Sequence, residues 1–328
     1  MSKTNKKIRW GIVSAARIAK TFARDIVGIP NASLVAVAAR QLVSAEEFAN
    51  EFSIPKAYGS YNELFADPDI DAVYIATPHS LHKEQSIAAM RAGKHVLCEK
   101  PATVTPAELE EVLAVAEQEG RYYMEAMWTY FLPAIIKCQQ WIDEGRIGKL
   151  LHVKAEFGFP LPYDPNLRQY DNKLGGGCLL EVGIYPVAMA WLFFKQDAEQ
   201  LTVWNHNADN GVEDDVVIIN RYKDDSTTAQ LTTSYRGQLN NYLTLIGDRG
   251  TIMVPNFWMA REAKLYVGPD CVEHYSDTRT QQGFNYQIEQ VSNELLAGKL
   301  QPEIVTWQDS RAFQRQMADI KTNFTDNI

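Results

Sequence analysis

The chain has 328 residues, of which 46% are hydrophobic and 22% are charged. This length indicates two domains, and the composition supports packed cores and excludes a mostly disordered chain. The 32 basic and 41 acidic residues give a net charge of −9, which argues against a protein that binds nucleic acid through its phosphate groups.

The first half alternates apolar runs with helical stretches. The runs are short, continuous and β-branched, as in strands buried on both faces of a parallel sheet; they cover 8–15, 34–39, 72–76, 95–98 and 122–126. Helices are predicted between them, at 17–27, 45–52, 80–91 and 106–119. The last begins at a capping box of Thr105 and Glu108. This alternation predicts a Rossmann-like, doubly wound parallel sheet.

The second half has a different pattern. After a helix at 131–142 and a strand at 150–157, a glycine-rich loop leads into a helix at 175–194. Closely spaced strands follow at 201–204, 216–222, 227–234, 241–246 and 250–254, and helices at 284–297 and 306–323 end the chain. Asp224-Asp225 and Asp248-Arg249-Gly250 are turn signals. Strands joined this tightly are antiparallel, so we expect an α+β unit: an open, mostly antiparallel sheet with helices on one face.

These patterns predict a dinucleotide-binding domain at 1–126 and a substrate-binding and dimerisation domain at 127–328, with the C-terminal helix able to pack back on the first domain. Apolar residues alternate along the later strands, as at Val216 and Ile218, and the open face of their sheet needs cover. We therefore expect a homodimer through the C-terminal sheet. With a polar N-terminus and an apolar stretch at 178–194 that is interrupted and short, we expect a cytoplasmic protein without a membrane partner.

The first strand and helix meet at a turn of the kind that binds a dinucleotide pyrophosphate. The usual fingerprint is G-x-G-x-x-G/A, and here Ser14 and Ala16 replace the first two glycines while Ala19 fits. Small side chains still leave room for phosphate, so we expect Ser14, Ala16, Arg17 and Ile18 to bind the cofactor. A purely structural strand-turn-helix is the alternative.

The end of the second strand bears on the choice of cofactor. An acidic residue there would bind the ribose 2′-hydroxyl of NAD, but the sequence has Ala38-Ala39-Arg40-Gln41. Arg40 can clamp a 2′-phosphate with paired N–H donors. The cofactor expected is therefore NADP, with NAD possible. The alternative is a solvated arginine.

Four motifs in order carry a family resemblance: ATPHSLH at 76–82, LCEKP at 97–101, MEAMW at 124–128 and GGGCLLEVGIY at 175–185. Together they resemble the Gfo/Idh/MocA family of oxidoreductases over essentially the whole chain. Within it, stretches such as RWGIVSA and VAVAAR are most similar to the dimeric dihydrodiol dehydrogenases. That resemblance implies NADP-dependent oxidation of cyclic trans-diols or of an aldose such as D-xylose.

The chemistry needs a base for the hydroxyl proton when hydride leaves the carbon. Tyr185 is the candidate, because a lysine ammonium nearby would favour its ionised form. The resemblance implies that Lys100 and Tyr185 meet at the substrate. Glu181 shares a helix face with Tyr185, and we expect it to bind a substrate hydroxyl or to orient Lys100. Many family members have aspartate at 181 and histidine at 185, so the substrate stays open.

Further site residues follow from the same motifs. Thr77 and Pro78 would shape the loop under the nicotinamide, and by resemblance Glu99 would contact the cofactor ribose. His79 and His82 are cofactor-binding candidates or, equally, ordinary capping and loop residues, and their spacing does not indicate a metal site. The predicted aromatic walls of the substrate site are Trp128, Phe157 and Trp258, with core packing as the alternative for each.

Two other functions stay open at this stage. The family contains glycosidases that retain NAD and oxidise the sugar only transiently. The chain could also be a non-catalytic NADP-binding sensor, although such a protein would tolerate the loss of Lys100 and Tyr185, which are both present.

Overall fold

A computed structural model describes residues 6–223 and 227–325. It divides into two compact units, and the chain enters each unit more than once. The first unit comprises the chain up to Trp128 together with Thr280–Ser310, and the second comprises Thr129–Arg279 and the residues from Arg311 onward. The two domains predicted from the sequence, at 1–126 and 127–328, remain a prediction.

The first unit is built on a parallel six-stranded sheet with the order β3-β2-β1-β4-β5-β6. Its strands are β1 (Ile8–Val13), β2 (Ala32–Ala38), β3 (Lys56–Tyr58), β4 (Ala72–Ile75), β5 (His95–Glu99) and β6 (Tyr123–Ala126). The central strands are buried on both faces, which explains their continuous apolar runs. The predicted doubly wound sheet is therefore confirmed.

Helices cover both faces of this sheet. They are α1 (Arg17–Asp25), α2 (Leu42–Phe52), α3 (Tyr61–Ala66), α4 (His82–Arg91), α5 (Pro106–Gln118) and, from the later segment, α8 (Phe284–Leu296). On one face the Tyr74 ring stacks on Phe22 of α1, with centroids 4.1 Å apart. On the other face, Gly11 of β1 lies close to Leu64 of α3: a methyl group added at Gly11 would come within 3.2 Å of the Leu64 side chain. The capping box of Thr105 and Glu108 starts α5 as predicted.

Helix α8 belongs to the first unit although it lies far along the chain. The Trp10 indole N–H of β1 donates to the Ser292 hydroxyl at 3.1 Å, and the Tyr122 hydroxyl donates to Glu294 at 2.7 Å. The carboxylate of Asp25, at the end of α1, accepts from the backbone N–H groups that begin α8. These buried bonds fix α8 against β1 and the helices beside it.

The second unit is built on an eight-stranded sheet with the order β14-β13-β12-β11-β7-β10-β9-β8. Its strands are β7 (Leu150–Gly158), β8 (Gln200–Asn207), β9 (Glu213–Arg221), β10 (Thr228–Ser234), β11 (Tyr242–Gly247), β12 (Thr251–Pro255), β13 (Glu262–Val267) and β14 (Asp270–Ser276). Its pairs are antiparallel except β7 with β10, which are parallel. The predicted mostly antiparallel sheet is confirmed.

Three helices complete the second unit: α6 (Pro133–Asp143), α7 (Ile184–Phe194) and most of α9 (Trp307–Thr322), which begins in the first unit. Along β9 and β10 the side chains of Val216, Ile218 and Leu231 are buried. Their neighbours on the opposite face, such as Ile219, are partly exposed, and Trp204 of β8 is 74% exposed. One face of the sheet is thus packed and the other is open.

Four elements were not predicted from the sequence: β3, α3, β13 and β14. The turn predicted at Asp224-Asp225 lies outside the described residues, whereas the turn at 248–250 joins β11 to β12 as expected. Among the described residues, one helical stretch, Asn172–Phe194, is long and apolar enough to cross a membrane. Most of that stretch is buried inside the protein, as in an ordinary core helix.

Candidate functional site

The turn between β1 and α1 has the backbone of the glycine fingerprint without its glycines. Ser14 has a φ of 105°, a conformation that normally favours glycine. Its hydroxyl accepts a hydrogen bond from the Ala16 N–H at 3.1 Å, and its own N–H donates to the Ala38 carbonyl at 2.9 Å. The serine therefore holds the turn by hydrogen bonds where the fingerprint relies on the freedom of glycine.

This turn opens onto a helix end suited to an anion. Ala16 precedes α1, and among the described residues no side chain caps that helix. Arg17 and Ile18, in its first turn, are exposed. The turn follows β1, which lies between β2 and β4, the point in the strand order where α/β sheets bind nucleotides. The open N–H groups and the helix dipole fit the pyrophosphate of a dinucleotide.

Arg40 follows the end of β2, and its side chain is exposed. Burial raises the pKa of Tyr61, and the positive charge of Arg40 acts against this rise. Residues 38–41 contain no carboxylate. This edge of the sheet therefore suits a phosphate better than a bare ribose hydroxyl.

The loop after β4 is rigid and mostly buried. The Thr77 hydroxyl donates to Gln85 of α4 at 2.6 Å, and Pro78 leads into a short 3₁₀ helix that begins at His79. His82 is fully buried, and its ring nitrogens lie 2.8 Å from the Pro101 carbonyl and 2.9 Å from the Thr77 carbonyl. Burial, reinforced by the His79 ring, lowers the pKa of His82 to about 3, and the two carbonyls act against this lowering.

Glu99 and Lys100 lie where β5 ends, and both are largely buried. The Tyr74 hydroxyl of the adjacent strand donates a short hydrogen bond to the Glu99 carboxylate. Since His82 bridges the segments that follow β4 and β5, the structure brings Thr77 and the Lys100 segment together. Each of these residues lies at the carboxyl edge of the sheet, on the first unit.

Glu181 and Tyr185 lie on the second unit, one helical turn apart. Residues 179–183 form a π-helical turn that continues into α7. The Glu213 carboxylate accepts from the Leu179 backbone N–H at the start of this helix. A side chain on Gly177, whose φ is 109°, would occupy the place of that carboxylate. Because Gly177 has no side chain, the Glu213 carboxylate can reach the start of the helix that carries Glu181 and Tyr185.

Arg168 is a site residue that the sequence did not reveal. Its guanidinium donates to the Glu181 carboxylate at 2.9 Å. Burial acts to lower the pKa of Arg168, and the Glu181 carboxylate more than offsets it, so the pKa is raised. Arg168 begins a 3₁₀ helix of only three residues, Arg168–Tyr170, which is too short for a sequence period to show. Only its position ahead of the glycine run could have drawn attention to it.

Two of the three predicted aromatic walls come together beside Tyr185. The Phe157 ring stacks on Trp258 with centroids 4.0 Å apart and planes inclined by 14°. The Tyr185 ring meets Phe157 edge-on at 5.5 Å. Trp128 lies on the first unit, where it packs against Phe284 at 4.8 Å. The second unit thus has an aromatic wall next to a tyrosine and an ion pair.

The described residues contain no group of three or more His, Cys, Asp or Glu side chains arranged to hold a metal ion. The charged and polar groups of the first unit fit a dinucleotide, through an anion-binding helix end and a rigid, buried loop pair after β4 and β5. Those of the second unit fit a small polar molecule with an apolar face.

The comparisons with known proteins agree with this division. Residues 8–127 match the family described as "Oxidoreductase family, NAD-binding Rossmann fold", and residues 135–253 match the "GFO/IDH/MocA C-terminal domain". A trans-1,2-dihydrobenzene-1,2-diol dehydrogenase of Mus musculus is 40% identical over 78% of this chain and 77% of its own length. The same enzyme of Xenopus laevis is 33% identical over 92% of this chain and 93% of its own.

Among solved structures, a 3-ketoreductase from Actinomadura kijaniata, crystallised with NADP and TDP-benzene, superimposes with a TM-score of 0.88. It is 26% identical, and the match covers 98% of this chain and 99% of that one. The two family matches together span most of the chain, and the diol dehydrogenases align with most of its length. The chain therefore belongs to the Gfo/Idh/MocA family and is an NAD(P)-dependent dehydrogenase.

Proposed function

We propose that the chain is an NADP-dependent oxidoreductase that transfers hydride between the nicotinamide and a secondary alcohol of an aldose or a cyclic trans-diol. The observation that carries this proposal is the grouping of Tyr185, the Arg168–Glu181 pair and the Phe157–Trp258 stack on one unit. Polar groups beside an aromatic wall suit a ring that is hydroxylated and has an apolar face. The diol dehydrogenases to which the chain is similar support the same class.

In this proposal Tyr185 takes the hydroxyl proton of the substrate as hydride leaves the carbon. A free tyrosine is a weak base at neutral pH, since its pKa is about 10. Lys100 supplies the ammonium that favours the tyrosinate. When it is bound, NADP supplies the hydride acceptor. Glu181, held by Arg168, accepts a hydrogen bond from a second hydroxyl, which gives a preference for diols and sugars over simple alcohols.

The cofactor contacts are assigned by position along the carboxyl edge of the first sheet. Ser14, Ala16, Arg17 and Ile18 hold the pyrophosphate at the start of α1, and Arg40 binds the 2′-phosphate. The remaining contacts surround the nicotinamide and its ribose; they come from Thr77, Pro78, His79, Glu99 and Lys100. His82, which is fully buried, serves the cofactor site by holding the segments that carry these residues. Trp128, which follows the last strand of the same sheet, is proposed as a substrate contact of the first unit, and Phe157 and Trp258 as substrate contacts of the second.

The test is a kinetic screen of the purified protein. Growth of absorbance at 340 nm is followed with NADP or NAD and with D-xylose, D-glucose, inositol or a cyclic trans-diol. We expect turnover with NADP, and its loss in Lys100→Met and Tyr185→Phe with NADP binding retained. Bound NAD that never turns over, or Lys100→Met at the normal rate, would overturn the proposal.

We also propose a homodimer in which the open face of the eight-stranded sheet packs against a second copy. Trp204 is 74% exposed on this face, and Ile219 and Tyr242 are also exposed. Exposed aromatic and β-branched side chains on a sheet face favour an apolar partner surface. Sedimentation should give a dimer, and Trp204→Glu together with Ile219→Lys should give a monomer. A wild-type monomer at micromolar concentration would refute this interface.

A cytoplasmic location is part of the same proposal. Cys98, Cys138, Cys178 and Cys271 are free thiols, and the first three are buried. Unpaired cysteines are typical of a reducing compartment. Fractionation of cells expressing the tagged chain should place it with the cytosolic proteins, and recovery in a secreted fraction would contradict this assignment.

A further inference from the structure

The segment that carries Lys100 is held by buried polar side chains on two sides. The Ala102 backbone N–H donates to the Glu125 carboxylate at 2.8 Å. One residue earlier, the Pro101 carbonyl lies 2.8 Å from the His82 ring. Residues 100–102 are therefore tied both to the loop after β4 and to strand β6. A loop held in this way keeps the side chain that it carries in one place.

Glu125 is an unusual residue to find in this place. It is fully buried in β6, directly opposite Cys98 of β5. An ionised carboxylate without a balancing charge is strongly disfavoured in such surroundings. The Ala102 N–H and the charge of Lys100 both favour the ionised form of Glu125. A buried acid is thus bonded to the segment 100–102, which carries Lys100.

The groups around the Glu125 carboxyl come from three elements. Lys100 and Cys98 face it from the end of β5, and the Tyr123 hydroxyl acts on it from β6. The start of α9 brings the Ser310 hydroxyl, which donates a hydrogen bond, and the acidic side chain of Asp309. Burial raises the pKa of Glu125 to about 7, against the lowering by Ser310, the Ala102 N–H and Lys100.

We propose that Glu125 is a positioning residue of this enzyme, whose side chain anchors the segment 100–102 and thereby holds Lys100 in place. The inference rests on the proposed function, because it takes Lys100 to be the group that favours the tyrosinate. Glu125 itself touches neither cofactor nor substrate in this scheme, and it acts through Lys100 alone.

Glu125→Leu removes the acceptor of the Ala102 N–H, whereas the amide oxygen of Glu125→Gln still accepts from it. We expect kcat to fall about tenfold in Glu125→Leu, because a displaced catalytic group acts less well, with the affinity for NADP unchanged. Glu125→Gln should keep kcat within about twofold of the wild type, since the segment keeps its anchor.

Glu294→Leu is the matched control. Glu294 is also a buried glutamate of the first unit, where it accepts from the Tyr122 hydroxyl at 2.7 Å. A purely structural effect of losing a buried acceptor should appear in both leucine variants as a lower melting temperature. Only Glu125→Leu should lower kcat, and only Glu125→Gln should restore it. If Glu125→Leu does not fold, Glu125→Asp is measured instead, because its shorter side chain keeps the acid but withdraws the acceptor from the Ala102 N–H.

Lys100→Met distinguishes the two ways in which the inference can fail. If Lys100→Met turns over normally, the proposed role of Lys100 is wrong, and the positioning role is overturned with it. If Lys100→Met is inactive while Glu125→Leu, or the Glu125→Asp that replaces it, keeps the wild-type kcat, the positioning role alone is overturned. The same holds if Glu125→Gln loses as much kcat as Glu125→Leu. A low kcat in Glu125→Leu that Glu125→Gln restores, together with an inactive Lys100→Met, supports both.

Discussion

Replacing Asp25 by alanine should release helix α8 from the first unit. Asp25 ends α1 and is only 2% exposed. Its carboxylate accepts from three successive backbone N–H groups, those of Gln282 at 3.1 Å, Gly283 at 2.9 Å and Phe284 at 2.8 Å. It therefore caps a helix that lies more than 250 residues further along the chain.

The size of the effect follows from which donors water can reach. Gln282 is exposed, so its N–H can bond to water in the variant, whereas Gly283 and Phe284 are buried. A buried donor left without a partner costs about 1–3 kcal/mol. Two such donors should lower the free energy of unfolding by about 3 kcal/mol in Asp25→Ala. Asp25→Asn keeps a neutral acceptor and should lose about half as much.

Urea unfolding followed by tryptophan fluorescence measures both variants, and limited proteolysis shows whether cleavage begins near residues 280–310. The reasoning fails if Asp25→Ala loses less than about 1 kcal/mol, below the cost of one unpaired donor. It also fails if the alanine and asparagine variants lose the same amount.

Three further predictions concern other parts of the chain. Arg40→Ala should weaken NADP binding about tenfold and leave NAD binding unchanged, because an exposed guanidinium contributes a screened contact to the 2′-phosphate. Fluorescence titration with both cofactors measures the two affinities. An equal loss of affinity for NADP and NAD would contradict this prediction. Burial would raise the pKa of Asp67, but its bonds to Lys56 and to the Asp69 N–H lower it from 3.8 to about 2. Its contribution to stability is therefore complete above about pH 4 and is lost as the pH falls towards 2, so Asp67→Asn should flatten the acid limb of a melting-temperature profile. An unaltered acid limb would count against this bond network. Phe157→Ala should lower the free energy of unfolding by about 3 kcal/mol, the cost of deleting a buried ring, in a urea titration where Phe157→Leu loses clearly less.

The regular elements were predictable where one face or both faces are continuously apolar. Strands β1, β4 and β5 and helix α5 lie within about two residues of their predicted bounds, because their patterns leave few other solutions. Strand β13 was missed because its alternation is short, with only Ala263 and Leu265 buried, and β14 was missed because it is mostly polar and largely exposed. Strand β3 has only three residues, too few for a period to show.

The site was predictable in its motifs but not in its connections. The sequence pointed to Lys100, Glu181 and Tyr185, yet it could not show that Arg168 pairs with Glu181, because the loop that carries Arg168 has no repeating pattern. The departure at Ser14 looked like a weakened motif. The structure shows that serine adopts the glycine conformation there and bonds to Ala16, a fact of backbone geometry that residue type alone does not encode.

The late position of α8 in the chain affects how the protein is made. A ribosome releases β1 to β6 long before residues 284–296 leave the exit tunnel. Until then Trp10, Tyr122 and Asp25 lack their hydrogen-bond partners, and the face of the sheet that α8 covers is open to water. The nascent first unit must therefore wait, partly unprotected, while the whole second sheet is synthesised. Chaperone contact during translation should concentrate on this interval, and a circular permutant that places α8 ahead of β1 should shorten it.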